Sequence, residues 1–527
     1  MDPINTNPSP MSLNDLLANA SRAMAGQKLV TAEQALKQAV RIAPDSAEAH
    51  RLSGVVQLMR GNPGMAIEYL RRAVELQPDD FNAHMNLGSA LFECQYTDAG
   101  LASMRRACEL APTESATWYN LGRALHMAHK SDEAGPILMR AMELNPTHVM
   151  ARMTLAHSQS SLGEIAEAAS LYRSVLKIKP DHAKAWFDLC NLKTIRLDGS
   201  EIERIKELLQ RPGVSSNDQV LLGYALAKAL EDQGDLTASF QALQTASAIR
   251  HRLAPWDIQA ERERIDGIIK AFDRPMPRAV DANLGQEVIF ISCLPRSGST
   301  LTEHILASHS MVEGANEISE LQAVITGESN RRRQFLTQWA PLATAEDWHR
   351  LGCEYLERTA YWRKGKPFFT DKNLGNWALV GPALAMLPGA RVVNTMRDPL
   401  ETCFACYRQL FNDGAAFSYD FESMANYYAG YARICKFWKA RFPENWYDHV
   451  YEDMLADPEG KIRELLAFCG LPFEPGCLEF HKTPRAVRST PSAAQVRQPL
   501  QSNTSRASRY GTLLDPLRDL LLRLEIE

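Results

Sequence analysis

The chain has 527 residues, 45% hydrophobic and 23% charged, which is the composition of a soluble protein of several globular domains. It excludes a disordered, collagen-like or wholly membrane-embedded chain. Acidic residues outnumber basic ones, 63 against 58, for a formal net charge of −5; this disfavours a globally basic nucleic-acid binder but not a local basic pocket.

Residues 1–12, MDPINTNPSPMS, are polar and Pro-rich and no apolar signal core follows them. Apolar runs such as 288–294 fall far short of the roughly 20 residues of a membrane helix, so no membrane anchor is expected. The ten cysteines are scattered without paired CxxC knuckles, which gives a zinc site little support. Cys403 and Cys406 form one CxxC after an Arg-Asp-Pro turn and read as two small hydrophobes on one helix face. A reduced, cytoplasmic compartment is expected.

From residue 13 a period governs the chain. Pro44, Pro78, Pro112, Pro146 and Pro180 recur every 34 residues. Small residues keep the same register at Gly54, Gly88, Gly122 and Ala156, each preceded (from Gly88 on) by Leu87, Leu121 or Leu155, and again at Ala32, Ala66, Gly100, Ala134 and Ala168. Small side chains let antiparallel helices approach, large apolar ones fill the gaps, and proline stops the second helix. The pattern resembles the tetratricopeptide repeat family, with units 13–46, 47–80, 81–114, 115–148 and 149–182 and a capping helix from Ala183. The resemblance implies an all-α solenoid over 13–192 whose groove takes a protein or peptide. Residues 193–284 lose the register and read as a helical connector, with a degenerate hairpin at Leu221–Ile249 turning at Gly234-Asp235.

Val288–Ser292 is β-branched and aromatic and predicts a buried strand. It runs into Cys-Leu-Pro-Arg-Ser-Gly-Ser-Thr (293–300) and then a helical pattern. Strand, Gly/Ser loop and helix are the geometry of a phosphate cradle, because N–H groups at a helix start point at an anion. No Lys follows Gly298, so the loop departs from the nucleotide-triphosphatase pattern; taken alone, it also fits an unliganded turn. A second strand, Arg391–Met396, leads into Arg397-Asp398-Pro399 and another helix.

PRSGST followed by RDPLETC resembles the sulfotransferase family, in its branch related to protein-tyrosine sulfotransferases. The resemblance covers about 285–510 and implies an α/β domain over 285–527, a P-loop-like parallel sheet with helices on both faces. It implies 3′-phosphoadenylyl sulfate (PAPS) as cosubstrate and no metal. Arg296, Ser297, Gly298, Ser299 and Thr300 then hold the 5′-phosphosulfate, and Arg397 grips the 3′-phosphate. Where the family has a serine eight residues on, this chain has Ala405, a lost hydroxyl that Arg408 or Cys406 is placed to offset. Glu317 matches the family's catalytic base, with Glu313 and Glu320 as nearby competitors. Lys372, in Thr-Asp-Lys-Asn, matches the lysine at the leaving oxygen, with Arg296 beside it; its plainer role is surface solubility. Tyr451 matches a nucleotide-contacting tyrosine and equally fits a core aromatic at a strand end.

Between Lys482 and Arg509 six basic residues occur and no acidic one, a local positive field suited to a polyanionic nucleotide. Ser492 and Arg506 are the nearest matches to the family's tail residues, with Arg509 the alternative to the second. The expected enzyme moves a sulfuryl group from PAPS to a hydroxyl, a protein tyrosine recruited by the repeats, in a bacterial cytoplasm and without a nucleic-acid partner. A glycan, lipid or small-molecule sulfotransferase whose repeats serve assembly, and a non-catalytic repeat scaffold, are the competing readings.

Overall fold

A computed structural model describes residues 11–526 apart from 129, 193, 364, 412–413, 484–497 and 501–504. It divides into two compact units, Met1–Pro180 and Asp181–Glu527.

The described part of the first unit is built from paired helices: α1 (Leu13–Ala25), α2 (Leu29–Ile42), α3 (Ala47–Met59), α4 (Pro63–Leu76), α5 (Phe81–Glu93), α6 (Thr97–Leu110), α7 (Ser115–Met127), α8 (Ser131–Leu144), α9 (Val149–Leu162) and α10 (Ile165–Ile178). Each pair starts 34 residues after the last, and each second helix stops two residues before its repeat's proline. The pre-proline residues Ala43, Gln77, Ala111, Asn145 and Lys179 have ψ of 67° to 93°, outside the helical range that a following proline disfavours. Small residues stand where the helices touch. A Cβ on Gly54, Gly88 or Gly122 would come within 2.4, 2.5 or 2.6 Å of Leu70, Met104 or Leu138, sixteen positions on. After the first four prolines the residue six positions on closes back on the proline's carbonyl: His50 on Pro44 at 2.8 Å, His84 on Pro78 and Trp118 on Pro112 at 3.0 Å, and Arg152 on Pro146 at 2.6 Å. Four side chains of three types perform one task, so backbone satisfaction at the helix entry is the shared requirement.

The second unit opens with α11 (Ala183–Asn191), α12 (Gly199–Gln210), α13 (Ser216–Gln233), α14 (Leu236–Leu253) and α15 (Ile258–Phe272). The hairpin expected over 221–249 is α13–α14, turned at Gly234 with φ 87°, a left-handed position glycine adopts without a Cβ penalty. There follow β1 (Val288–Cys293), α16 (Ser299–Ala307), β2 (Val312–Gly314), α17 (Glu320–Arg332), α18 (Leu336–Trp339), α19 (Ala345–Thr359), β3 (Phe368–Lys372), α20 (Val380–Met386), β4 (Arg391–Met396), α21 (Pro399–Tyr407), α22 (Phe421–Arg441), β5 (Trp446–Val450), α23 (Tyr451–Ala456), α24 (Pro458–Phe468), α25 (Ala507–Tyr510) and α26 (Asp515–Arg523).

The five strands form one sheet in the order β2-β3-β1-β4-β5, with every neighbouring pair parallel. Alternate strand residues feed two cores. Val288, Phe290, Phe369 and Val392 pack with α15, α19, α20 and α22, whereas Ile289, Ile291, Val312 and Val393 pack with α16 and α24. Both faces are therefore covered by helices, which is why β1 reads as a continuous apolar run. From β1 the chain winds to one side of the sheet and from β4 to the other, so the crevice above their carboxyl ends is the switch point where such sheets take ligands.

Candidate functional site

The loop after β1 is shaped by two left-handed residues, Arg296 at φ 69° and Gly298 at φ 96°. Such a conformation in a non-glycine residue costs roughly 1–2 kcal/mol and persists where its surroundings hold it. Here Ser297 is the holder: its hydroxyl donates to Leu294 O at 2.8 Å and hydrogen-bonds Thr395 Oγ1, on β4, at 2.9 Å. Gly298 is the N-cap of α16, so Ser299 and Thr300 open that helix with their N–H groups at the loop mouth. Tyr451, at the start of α23, covers the glycine; a Cβ there would meet its ring at 3.0 Å.

At the end of β3, Lys372 is buried. Its ammonium donates to Glu317 Oε1 at 2.9 Å and lies 3.9 Å from Glu303 Oε2. Burial disfavours the ammonium, but Glu303 and then Glu317 outweigh it and hold the lysine above its ordinary pKa. Lys372 is thus charged at neutral pH and is no surface solubiliser. Glu317 is 38% exposed, whereas Glu303 is 2% exposed. Of the competing carboxylates, Glu320 accepts from Trp362 Nε1 at 3.0 Å.

Glu303 carries no sequence motif, yet it joins three elements. Its Oε1 accepts from Asn316 N at 2.7 Å and from Thr370 Oγ1 at 3.1 Å. One carboxylate on α16 therefore holds the residue before Glu317, the strand bearing Lys372, and the field around the lysine. Its neighbours Thr302, Ile305 and Leu306 are all buried as well, a setting that only the folded chain reveals.

A second cluster sits across the β1/β4 crevice. The Arg397 guanidinium lies over the Tyr451 ring at 5.1 Å, reaches Arg296 O at 3.5 Å and pairs with Glu401 at 3.3 Å. Burial pushes the Arg296 guanidinium down to about 10, and repulsion from Arg397, Arg408 and Arg506 adds to the effect. Guanidiniums gathered in one crevice favour a bound anion, which relieves their mutual repulsion.

The loop residues Arg296–Thr300, Arg397, Tyr451 and Arg506 thus gather around one crevice, and Glu317 meets Lys372 at β3. Ser492 lies outside the described residues. The two tail arginines separate: Arg506 is half-buried and adds to the field at Arg296, whereas Arg509 is exposed. Ala405 offers no hydroxyl, and the neighbouring Cys406 thiol donates to Pro295 O at 3.2 Å, which leaves Arg408 as the added cation. Cys403 and Cys406 are both buried on α21, as small hydrophobes are. Among the described residues no cluster of His, Cys, Asp and Glu could hold a metal ion, and no helix is long and apolar enough to cross a membrane.

Residues 288–475 match the sulfotransferase family model, and residues 17–81, 60–115 and 151–182 match tetratricopeptide repeat models. A curated relative, an uncharacterized protein of Aquifex aeolicus (strain VF5), is 31% identical over 338 residues, 61% of this chain and 44% of the relative. The chain thus spans less than half the length of that relative. Solved structures similar to part of the chain include TTC0263, a thermophilic tetratricopeptide protein of Thermus thermophilus (19% identity, 35% of this chain, all of that one, TM-score 0.31). Another is Pseudomonas aeruginosa pilF (18% identity, 48% of this chain, 97% of that one, TM-score 0.33).

Proposed function

We propose that this chain, built from tetratricopeptide repeats and a sulfotransferase-family domain, transfers the sulfuryl group of PAPS to a hydroxyl of a protein or peptide, with tyrosine as acceptor. The observation that carries the reading is the pairing of Lys372 with Glu317 beside a phosphate-cradle loop, with the arginine cluster across the same crevice. The loop 296–300 would hold the 5′-phosphosulfate, and Arg397, Arg408 and Arg506 the 3′-phosphate.

The acceptor oxygen attacks sulfur in line, the bond from sulfur to the 5′-phosphate oxygen breaks, and its electron pair stays on that oxygen. Glu317 takes the acceptor's proton. A phenol of pKa ≈ 10 gains from such a base at neutral pH. Lys372 meets the charge growing on the leaving oxygen, supported by Arg296. When Glu317 turns to the acceptor, Glu303 stays beside the lysine and keeps it charged. Since protein cations supply this positive charge, transfer is expected to persist in EDTA.

The repeats support a protein acceptor, because their stacked helices form a surface of the kind that grips peptides. A cytoplasmic location goes with this reading, as free thiols suit a reducing compartment. The test is transfer of labelled sulfate from PAPS into a cell extract, separated into protein and non-protein fractions. Label in protein, on tyrosine, is expected. Label confined to non-protein material would overturn the acceptor assignment, and no transfer with any fraction would overturn the enzyme.

A further inference from the structure

The anion crevice is completed from outside the family domain. Glu231 lies on α13, in the connector, and is 4% exposed. Its carboxylate accepts from Arg408 through one oxygen and from Arg506 Nη1, at 3.1 Å, through the other. These partners lie 177 and 275 residues away in sequence. A second carboxylate draws in the same tail: Glu401 accepts from Ser505 Oγ at 2.6 Å, Ala507 N at 2.7 Å and Arg506 N at 3.1 Å. Tyr510 then packs on Phe404 and Phe240, 4.7 and 6.2 Å between ring centres, and hydrogen-bonds Ser239 on α14. The segment 505–510 is thus strapped to α21 and to the α13–α14 hairpin.

We propose that Glu231 is a positioning residue for the nucleotide's 3′-phosphate, making the connector hairpin part of the nucleotide site. The inference rests on the PAPS reading above. Four guanidiniums set against the Glu231 and Glu401 carboxylates leave a local charge of about +2, matched to a phosphate of about −1.5 to −2. Arg408 and Arg506 each spend part of their donor fork on Glu231 and the rest of the fork serves the ligand. Without the carboxylate, Arg506 loses the contact that fixes its side chain, and binding must order it anew.

The alternative makes the opposite forecast. If Glu231 were merely a competing negative charge, its removal would tighten anion binding. Calorimetric titration of the full chain and its Glu231→Gln variant with adenosine 3′,5′-bisphosphate and with adenosine 5′-phosphate separates the two. Loss of one positioned charge-assisted contact predicts about tenfold weaker binding of the bisphosphate, with the monophosphate changed less than twofold. Equal losses for both nucleotides would mean a merely structural role, and no loss or a gain would mean plain electrostatics; each overturns the proposal. A wild-type chain that does not prefer the bisphosphate would instead overturn the 3′-phosphate assignment, and the proposal with it. Should Glu231→Gln not fold, Arg506→Met carries the test, since that side chain is 43% exposed. It must lower the same affinity ratio, and an unchanged ratio overturns the proposal.

Discussion

At the scale of single residues, the candidate site is a set of buried and half-exposed charges held by opposite charges. Glu317→Ala should lower turnover by about 10²–10⁴-fold, the usual worth of a positioned base, while calorimetric affinity for adenosine 3′,5′-bisphosphate stays near wild type. Unchanged turnover would place the base elsewhere. Glu303→Ala orphans Asn316 N and Thr370 Oγ1 and should cost about 1–3 kcal/mol of stability, read from denaturant unfolding. His449 on β5 gives a pH-dependent contribution of a different kind. Burial pushes its imidazole down to about 4, and neither ring nitrogen has a hydrogen-bond partner. The unfolded chain binds this proton near pH 6.5 and the folded one does not, so stability is complete above pH 6.5 and falls as pH drops toward 4. The loss amounts to about 3 kcal/mol. His449→Leu should flatten unfolding free energy against pH across that window.

At the scale of elements, glycines mark the places where backbones or rings press together. Gly298 combines a left-handed φ with a Tyr451 ring 3.0 Å from where a Cβ would stand. Gly298→Ala should therefore strain the loop by about 1–3 kcal/mol, displace Tyr451 and weaken nucleotide binding in proportion. Calorimetry checks this, and full affinity in the variant would remove the loop from the binding site. In the repeats the pressure comes from a partner helix instead. Gly88 sits 2.5 Å, by its missing Cβ, from Met104 and 2.9 Å from Gly100 O. A side chain there must push two backbones apart, which overpacked cores resist at about 1–3 kcal/mol.

At the scale of the whole molecule, two compact units imply two separable stabilities. Gly88→Val should lower the melting of the repeat unit while the calorimetric affinity for adenosine 3′,5′-bisphosphate is unchanged, because every proposed nucleotide contact lies within Asp181–Glu527. A matching loss of nucleotide affinity would show that the units depend on each other. The unit boundary also bears on the site. The helix expected to cap the repeats, Ala183–Asn191, falls in the second unit, alongside the connector that supplies Glu231.

The repeats were legible because their causes are local: a proline stop, a small contact residue and a fixed return distance recur every 34 positions. The strands β1 and β4 and their loops were legible for the same reason, since β-branched runs, glycine and Arg-Asp-Pro act on their own neighbours. The shorter β2, β3 and β5 were not legible, because three to five residues carry too little periodic signal. Glu303, Glu401 and Glu231 could not be singled out, as each is one carboxylate in a helix and gains meaning only from partners brought in from far along the chain. Local sterics write a repeating pattern into a sequence, whereas a single ion pair closed over 275 residues leaves none. The sequence alone therefore determined the repeat architecture and the two loops of the crevice. Tertiary structure decided which carboxylates hold the lysine and the arginines, because burying those charges requires partners that only the folded chain brings together.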